Sequence, residues 1–392
     1  MKAAWSIPVL TVATAAVAVV VAVAAIPAPD RLPYARSADG AIGPVTAALH
    51  VETLVADLDT PWDLAWGPDD FIWVTERGGT ISRVDPSSGE LTRVAELDVT
   101  EVSESGLLGM AFDPDFQKQP FVYAVHSYGN RLGIRNRLVR MRFDGNSLAE
   151  PEVLLDGIPG GRNHNGSRLA FGPDGFLYVT TGDAGNASAA QERGSLAGKV
   201  LRLTPDGRPA PGNPFGSVVY SYGHRNAQGI AFHPETGTLY IAEHGPSDND
   251  EVNRILSGGN YGWPAVHGFC DGDTSSEDEY CRDHNVEEPL SAWTPTVGVS
   301  GLDIYEADLI PGWKGSLLVT SLTGRTLYRL RLSADGNSVV EREALFEREY
   351  GRLRDVMVGP GGEVYVATSN RDGRGRPASN DDRILRITPD AE

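Results

Sequence analysis

The chain has 392 residues, 53 of them acidic and 34 basic, for a formal charge of −19. That balance excludes nucleic acid as a partner, since a nucleic-acid surface needs a basic footprint, and it suits an exported protein with bound divalent cations. The 45 Gly and 26 Pro mark a turn-dense all-β chain, and no long run beyond residue 30 has helical periodicity.

At the N-terminus Lys2 is the only charge before Asp30, and Ala3 to Ile26 is an apolar run rich in Ala and Val. Ala24, Ala25 and Ala28 offer small-residue cleavage sites, while the run is also long enough to span a bilayer. Residues 1–28 are therefore expected to be a signal peptide or a membrane anchor, and either one implies export. Residues 29–47 read as a linker, and 48–392 as the folded domain.

Leu49 to Leu58 reads as a strand, and a hairpin unit then recurs. Its copies begin at Trp62 (WDLAWGPDDFIWVTERG), Gly106 (GLLGMAFDPDF), Gly166, Gln228 (QGIAFHPETGTLYIAEHG), Gly301 and Leu353 (LRDVMVGPGGEVYVATSN). Most copies are followed by an amphipathic third strand: Thr80–Val84, Asn136–Phe143, Gly198–Leu203, Val252–Leu256, Arg325–Leu332 and Arg383–Ile387. Six copies of a unit of roughly fifty residues predict a six-bladed β-propeller. The opening strand is expected to pair with the last one, Arg383–Thr388, so that no sheet edge stays open. Gly258–Pro295 is the longest insertion, acidic and expected to be an ordered loop. It holds both cysteines, Cys270 and Cys281, whose proximity in an exported chain predicts a disulfide.

The central copy, NHNGSRLAFGPDGFLYVTTGD from Asn163 to Asp183, is two strands around the turn Gly172-Pro173-Asp174-Gly175. Antiparallel pairing puts its two ends on one edge, so His164 and Asp183 are expected to meet. A carboxylate beside an imidazole fixes the ring tautomer and raises its basicity, as a general base requires. The same edge of the other copies collects Glu104, Arg225, Asn226, Gln228, Arg352 and Arg354 before the first strand. After the second strand it collects Glu76, Arg77, His126, His244, Thr323 and Ser369. The three arginines ahead of the first strand, Arg225, Arg352 and Arg354, imply a ligand with anionic groups, because guanidinium forks match carboxylates.

These motifs, in this order, resemble the soluble quinoprotein sugar dehydrogenases, which depend on pyrroloquinoline quinone (PQQ) and are six-bladed propellers. The resemblance runs from about Leu58 to Thr388. It rests on GLLGMAFDPDF, HNGSRLAFGPDG, GHRNAQGIAFHP from Gly223, EHGPSDNDEVN from Glu243, GGNYGWP from Gly258 and GRLRDV from Gly351. It implies that His164 takes the proton of a sugar's anomeric hydroxyl as hydride passes to the quinone, with Asp183 orienting the ring. Arg225 would stand where negative charge develops on reduction. Glu104, Asn226, Gln228, Thr296, Thr323, Arg325, Arg352 and Arg354 would contact the cofactor. The backbone carbonyls of Gly245 and Pro246 would hold a calcium ion, Ca2+, acting as a Lewis acid. His267, Phe269 and Asp271 match a second calcium site. The implied partners are an aldose substrate and an external electron acceptor.

The chain departs from the family pattern in three places. Thr323 replaces an expected lysine, with Arg325 as a candidate substitute; Glu104 replaces a glutamine; and Asn163 replaces an aspartate ahead of the base. One cation lost and one anion gained predict weaker tricarboxylate binding. Two other functions fit the same fold: a calcium-dependent lactonase-like hydrolase and a non-catalytic binding propeller.

Overall fold

The computed structural model describes residues 48–130, 133–271 and 275–390, besides Met1. The expected signal or anchor segment and the linker lie outside the described residues. Among the described residues no helix is long and apolar enough to cross a membrane.

Six four-stranded antiparallel sheets form the domain. Their inner strands are Pro61–Trp66, Leu107–Phe112, Gly166–Phe171, Ala227–Phe232, Val299–Tyr305 and Leu353–Val358. Each packs against the inner strands on either side, so the ring closes and the fold is the expected six-bladed propeller. Second strands such as Ile72–Glu76, Leu177–Thr181 and Val364–Thr368 are buried along their whole length. A blade has neighbours on both faces, so its middle strand has no solvent side, and its residues run apolar and β-branched without alternation.

The core is six apolar clusters, each drawn mainly from two neighbouring blades. Trp73, Ile81 and Val94 meet Leu107, Met110 and Val122 between the first two blades. Ile72, Val74 and Val84 meet Met357, Tyr365 and Ile384 at the closing junction. Closure is made by the opening strand Leu49–Val55, which pairs antiparallel with Ile384–Pro389 from Leu49↔Pro389 to Val55↔Ile384. The last sheet therefore holds both ends of the domain, as the sequence led us to expect.

Two features differ from the sequence expectations. Every blade carries an outer fourth strand, and Leu91–Glu96, Glu152–Pro159 and Val339–Leu345 among them have a weak apolar pattern because one face is solvated. The insertion is also more than a loop. It contains the helix Ser275–His284 and supplies the outer strand Ser291–Trp293 of its blade. The helix escaped detection because its sequence, SSEDEYCRDH, has almost no apolar stripe. Its acidic first turn and basic last turn suit the helix dipole instead. The Cys270–Cys281 disulfide is present and ties this helix to the preceding turn.

Candidate active site

The hairpin register places Gly166 opposite Thr181, so His164 and Asp183 each lie two residues beyond that pair. The chain arrives through left-handed turns, with φ of 59° at His164 and 71° at Ser167. Gly182 has to be glycine, because a Cβ there would lie 1.9 Å from the His164 carbonyl oxygen. That close approach brings the two side chains together, and His164 Nδ1 lies 2.8 Å from Asp183 Oδ1. Asp183 is buried and both of its oxygens are engaged. Oδ1 also accepts the Gly185 N–H at 2.8 Å, and Oδ2 accepts the Trp263 indole N–H at 2.9 Å. Burial opposes the charge of Asp183, but these donors and the imidazole outweigh it and hold the carboxyl below its ordinary value. With Nδ1–H given to the carboxylate, Nε2 carries the free lone pair of a 21 % exposed ring.

The cations expected at this mouth are brought together. Arg354 is buried, donates to Gln228 Oε1 at 2.7 Å and stacks 4.1 Å over Trp62. Among the described residues it faces no carboxylate directly. Burial, with Arg352 and Arg168 adding to it, pulls its guanidinium down to about 9 despite Asp372 and Glu104. Arg352 pairs with Asp372 at 2.7 Å. Arg225 Nη1 donates to the His244 carbonyl at 3.2 Å, and burial lowers its pKa. Among the described residues Arg225 Nε, Arg354 Nε and His244 Nε2 are buried nitrogens without partners, and Ser369 Oγ nearby is another unpaired group. Anion acceptors are what such a set lacks. Glu104 accepts the His164 backbone N–H at 3.0 Å, and Asn226 Oδ1 accepts that of Gly166 at 3.0 Å.

Other expected positions have other surroundings. Thr323 and Arg325 are exposed, and the Arg325 carbonyl accepts the N–H of Arg348. Thr296 donates its N–H to Ser247 and so touches the Gly245–Asp250 turn. Glu76 accepts the Asp59 N–H, Arg77 pairs with Glu101, and burial lowers the pKa of His126, which lines a cavity with Arg137 and Asp98. The His267 carbonyl accepts from Asn249, the Phe269 carbonyl accepts from Asp271 N–H, and Asp271 is exposed.

Several contributors were not legible in the sequence. Glu243 joins His224 at 2.8 Å and also accepts the Arg225 N–H, so it fixes the arginine's backbone. Asp250 accepts the N–H groups of Gly245, Val297, Gly298 and Val299, pinning the EHGPSDND turn to the next blade. Asp372 and Arg374 come from the loop after Thr368, and Trp263 from the insertion. Asp372, Arg374 and Trp263 lie outside the repeat register, whereas Glu243 ends the second strand of its hairpin and Asp250 opens the third.

The far half of the channel is a separate cavity of about 400 Å³. Its carboxylates are already spent: Asp63 accepts from Met110 N–H, Asp355 from Leu64 N–H and Asp303 from Val358 N–H. Arg168 also bridges Asp63 and Asp355. They lace neighbouring blades together, and the hydrolase alternative gains no support from them.

The glucose/sorbosone dehydrogenase family model matches residues 58–385. The quinoprotein glucose dehydrogenase B of Acinetobacter calcoaceticus is 31% identical, over 81% of this chain and 84% of that protein. The aldose sugar dehydrogenase YliI of Escherichia coli is 30% identical, over 88% and 94%. The PQQ-bound aldose sugar dehydrogenase of Streptomyces coelicolor superposes with a TM-score of 0.78 at 39% identity, covering 88% of this chain and 99% of that one.

Proposed function

The chain belongs to the glucose/sorbosone dehydrogenase family, and from that premise we propose that it oxidises the anomeric carbon of an aldose to the lactone, using PQQ and an external electron acceptor. The observation that carries this reading is the His164–Asp183 pair set beside Arg225 and Arg354, whose buried Nε atoms lack acceptors among the described residues. When bound, PQQ supplies a quinone able to accept a hydride. The chain's own residues do the rest. His164 Nε2 takes the hydroxyl proton, and Asp183 stabilises the imidazolium that results. Arg352 and Arg354 offer guanidinium groups to the carboxylates of PQQ, and Arg225 offers positive charge where anionic oxygen develops. Asn226 and Gln228 hold the edges of this set in place.

We place calcium at the carbonyls of Gly245 and Pro246. The turn suits a hard cation. A Cβ on Gly245 would meet the Asp248 carbonyl oxygen at 2.0 Å and that of Asn249 at 2.5 Å, and among the described residues Asp248 Oδ1 is buried without a partner. Oxygen donors in a tight turn are calcium's preference, and the ion would add Lewis acidity. Export through residues 1–28 belongs to the same reading.

The test is titration of the protein with PQQ, with and without calcium, followed by dye-linked oxidation of a panel of aldoses. A quinone absorption band with sugar oxidation supports the reading. Lack of binding removes the cofactor, and binding without oxidation of any aldose leaves the binding-propeller alternative. Arg354→Ala should raise the PQQ dissociation constant roughly tenfold or more, the worth of one charge-assisted contact.

A further inference from the structure

The loop between Val364–Thr368 and Ile384–Pro389 reaches across the channel mouth. Asp372 Oδ1 accepts the backbone N–H of Arg374 at 2.9 Å and of Gly375 at 3.1 Å, which shapes a tight turn. Its other oxygen takes Arg352 at 2.7 Å. One aspartate thus holds a cofactor-site arginine and presents Arg374. The Arg374 guanidinium then meets Glu104 Oε1 at 2.7 Å and Asn163 Oδ1 at 3.2 Å. The other Glu104 oxygen holds the backbone of His164.

Glu104 lies within electrostatic reach of Arg225, Arg354 and His244. Unneutralised, its carboxylate would compete with an anionic cofactor for those groups. Its side chain is only 13% exposed, so water screens it poorly, whereas Arg374 is 48% exposed and comes from the rim. Resting on the PQQ reading above, we propose that Arg374 is a positioning residue of this site. It neutralises Glu104, keeps that carboxylate on the backbone of the base, and leaves the inner guanidiniums free for the cofactor. The cation that the mouth needs is thereby supplied by a loop far along the chain and not by position 323 or 325.

The experiment is PQQ titration of the calcium-loaded parent, Arg374→Ala, Arg374→Lys, Glu104→Gln and the double variant Glu104→Gln/Arg374→Ala, at low salt and at about 0.5 M. Arg374→Ala should weaken PQQ binding about tenfold at low salt and less at high salt. Arg374→Lys should keep most of the affinity. The double variant should recover to near Glu104→Gln, because there is no longer a charge to neutralise. Parental affinity in Arg374→Ala overturns the proposal, and so does a double variant as weak as Arg374→Ala alone, since that outcome means simple loop damage. If the parent itself fails to bind PQQ, the cofactor reading falls and this proposal with it. Parental binding with an indifferent Arg374→Ala sinks the proposal alone.

Discussion

Asp183→Asn is the sharpest perturbation of the site. The carboxylate accepts three donors, from His164, Gly185 and Trp263. An amide has one acceptor oxygen and one donor nitrogen. If its oxygen stays on His164 and Gly185, its NH2 faces the Trp263 indole N–H, donor against donor. If it flips, the NH2 faces His164 Nδ1, and the ring must carry its proton on Nε2, where a base cannot have it. Either way one charge-assisted bond to the imidazole is lost, worth about 1.5–3 kcal/mol. That converts to a fall in kcat of roughly ten- to hundredfold. Trp263→Phe removes the clashing donor, so adding it to Asp183→Asn should cost little more. The assay is dye-linked aldose oxidation by PQQ-loaded protein across pH. Parental turnover in Asp183→Asn would refute the orienting role.

His164→Ala should lose at least about a hundredfold in turnover while PQQ binding survives, because a positioned base contributes about 10²–10⁴; equal turnover at saturating PQQ would contradict this. The Asp183 carboxyl lies below its ordinary value, so its contribution to stability is present above the unfolded-state value near pH 4 and lost as pH falls through the folded one; acid unfolding of the parent and of Asp183→Asn should therefore converge at low pH, and a constant gap would count against it. Trp73, wholly buried and edge-on to Phe112 and Phe143, should cost about 3–5 kcal/mol as Trp73→Ala, measured by denaturant unfolding. Lys199 is buried with its ammonium on the carbonyls of Ala189, Ala190 and Ala197, bracing the loop after Asp183; Lys199→Met should cost about 1–3 kcal/mol in the same measurement.

The repeat by itself determined the blade count, the inner hairpins and the closure of Leu49–Val55 on Ile384–Pro389, because each blade is a local hairpin whose apolar spacing shows in a short window. It also determined the meeting of His164 and Asp183, since antiparallel register sends the two ends of one hairpin to one edge. Only the tertiary structure decided what surrounds that pair. Trp263 is 80 residues from Asp183, and Arg374 is 270 residues from Glu104. Both come from loops outside the repeat, where no periodicity marks a side chain as inward. The same holds for the helix Ser275–His284, whose polar face all round hides it from a hydrophobic pattern. Charge shows the contrast most clearly. Glu104 and Thr323 in the sequence predict a mouth short of positive charge, whereas the folded chain supplies Arg374 from its last loop, because closing the ring brings the final blade against the first ones.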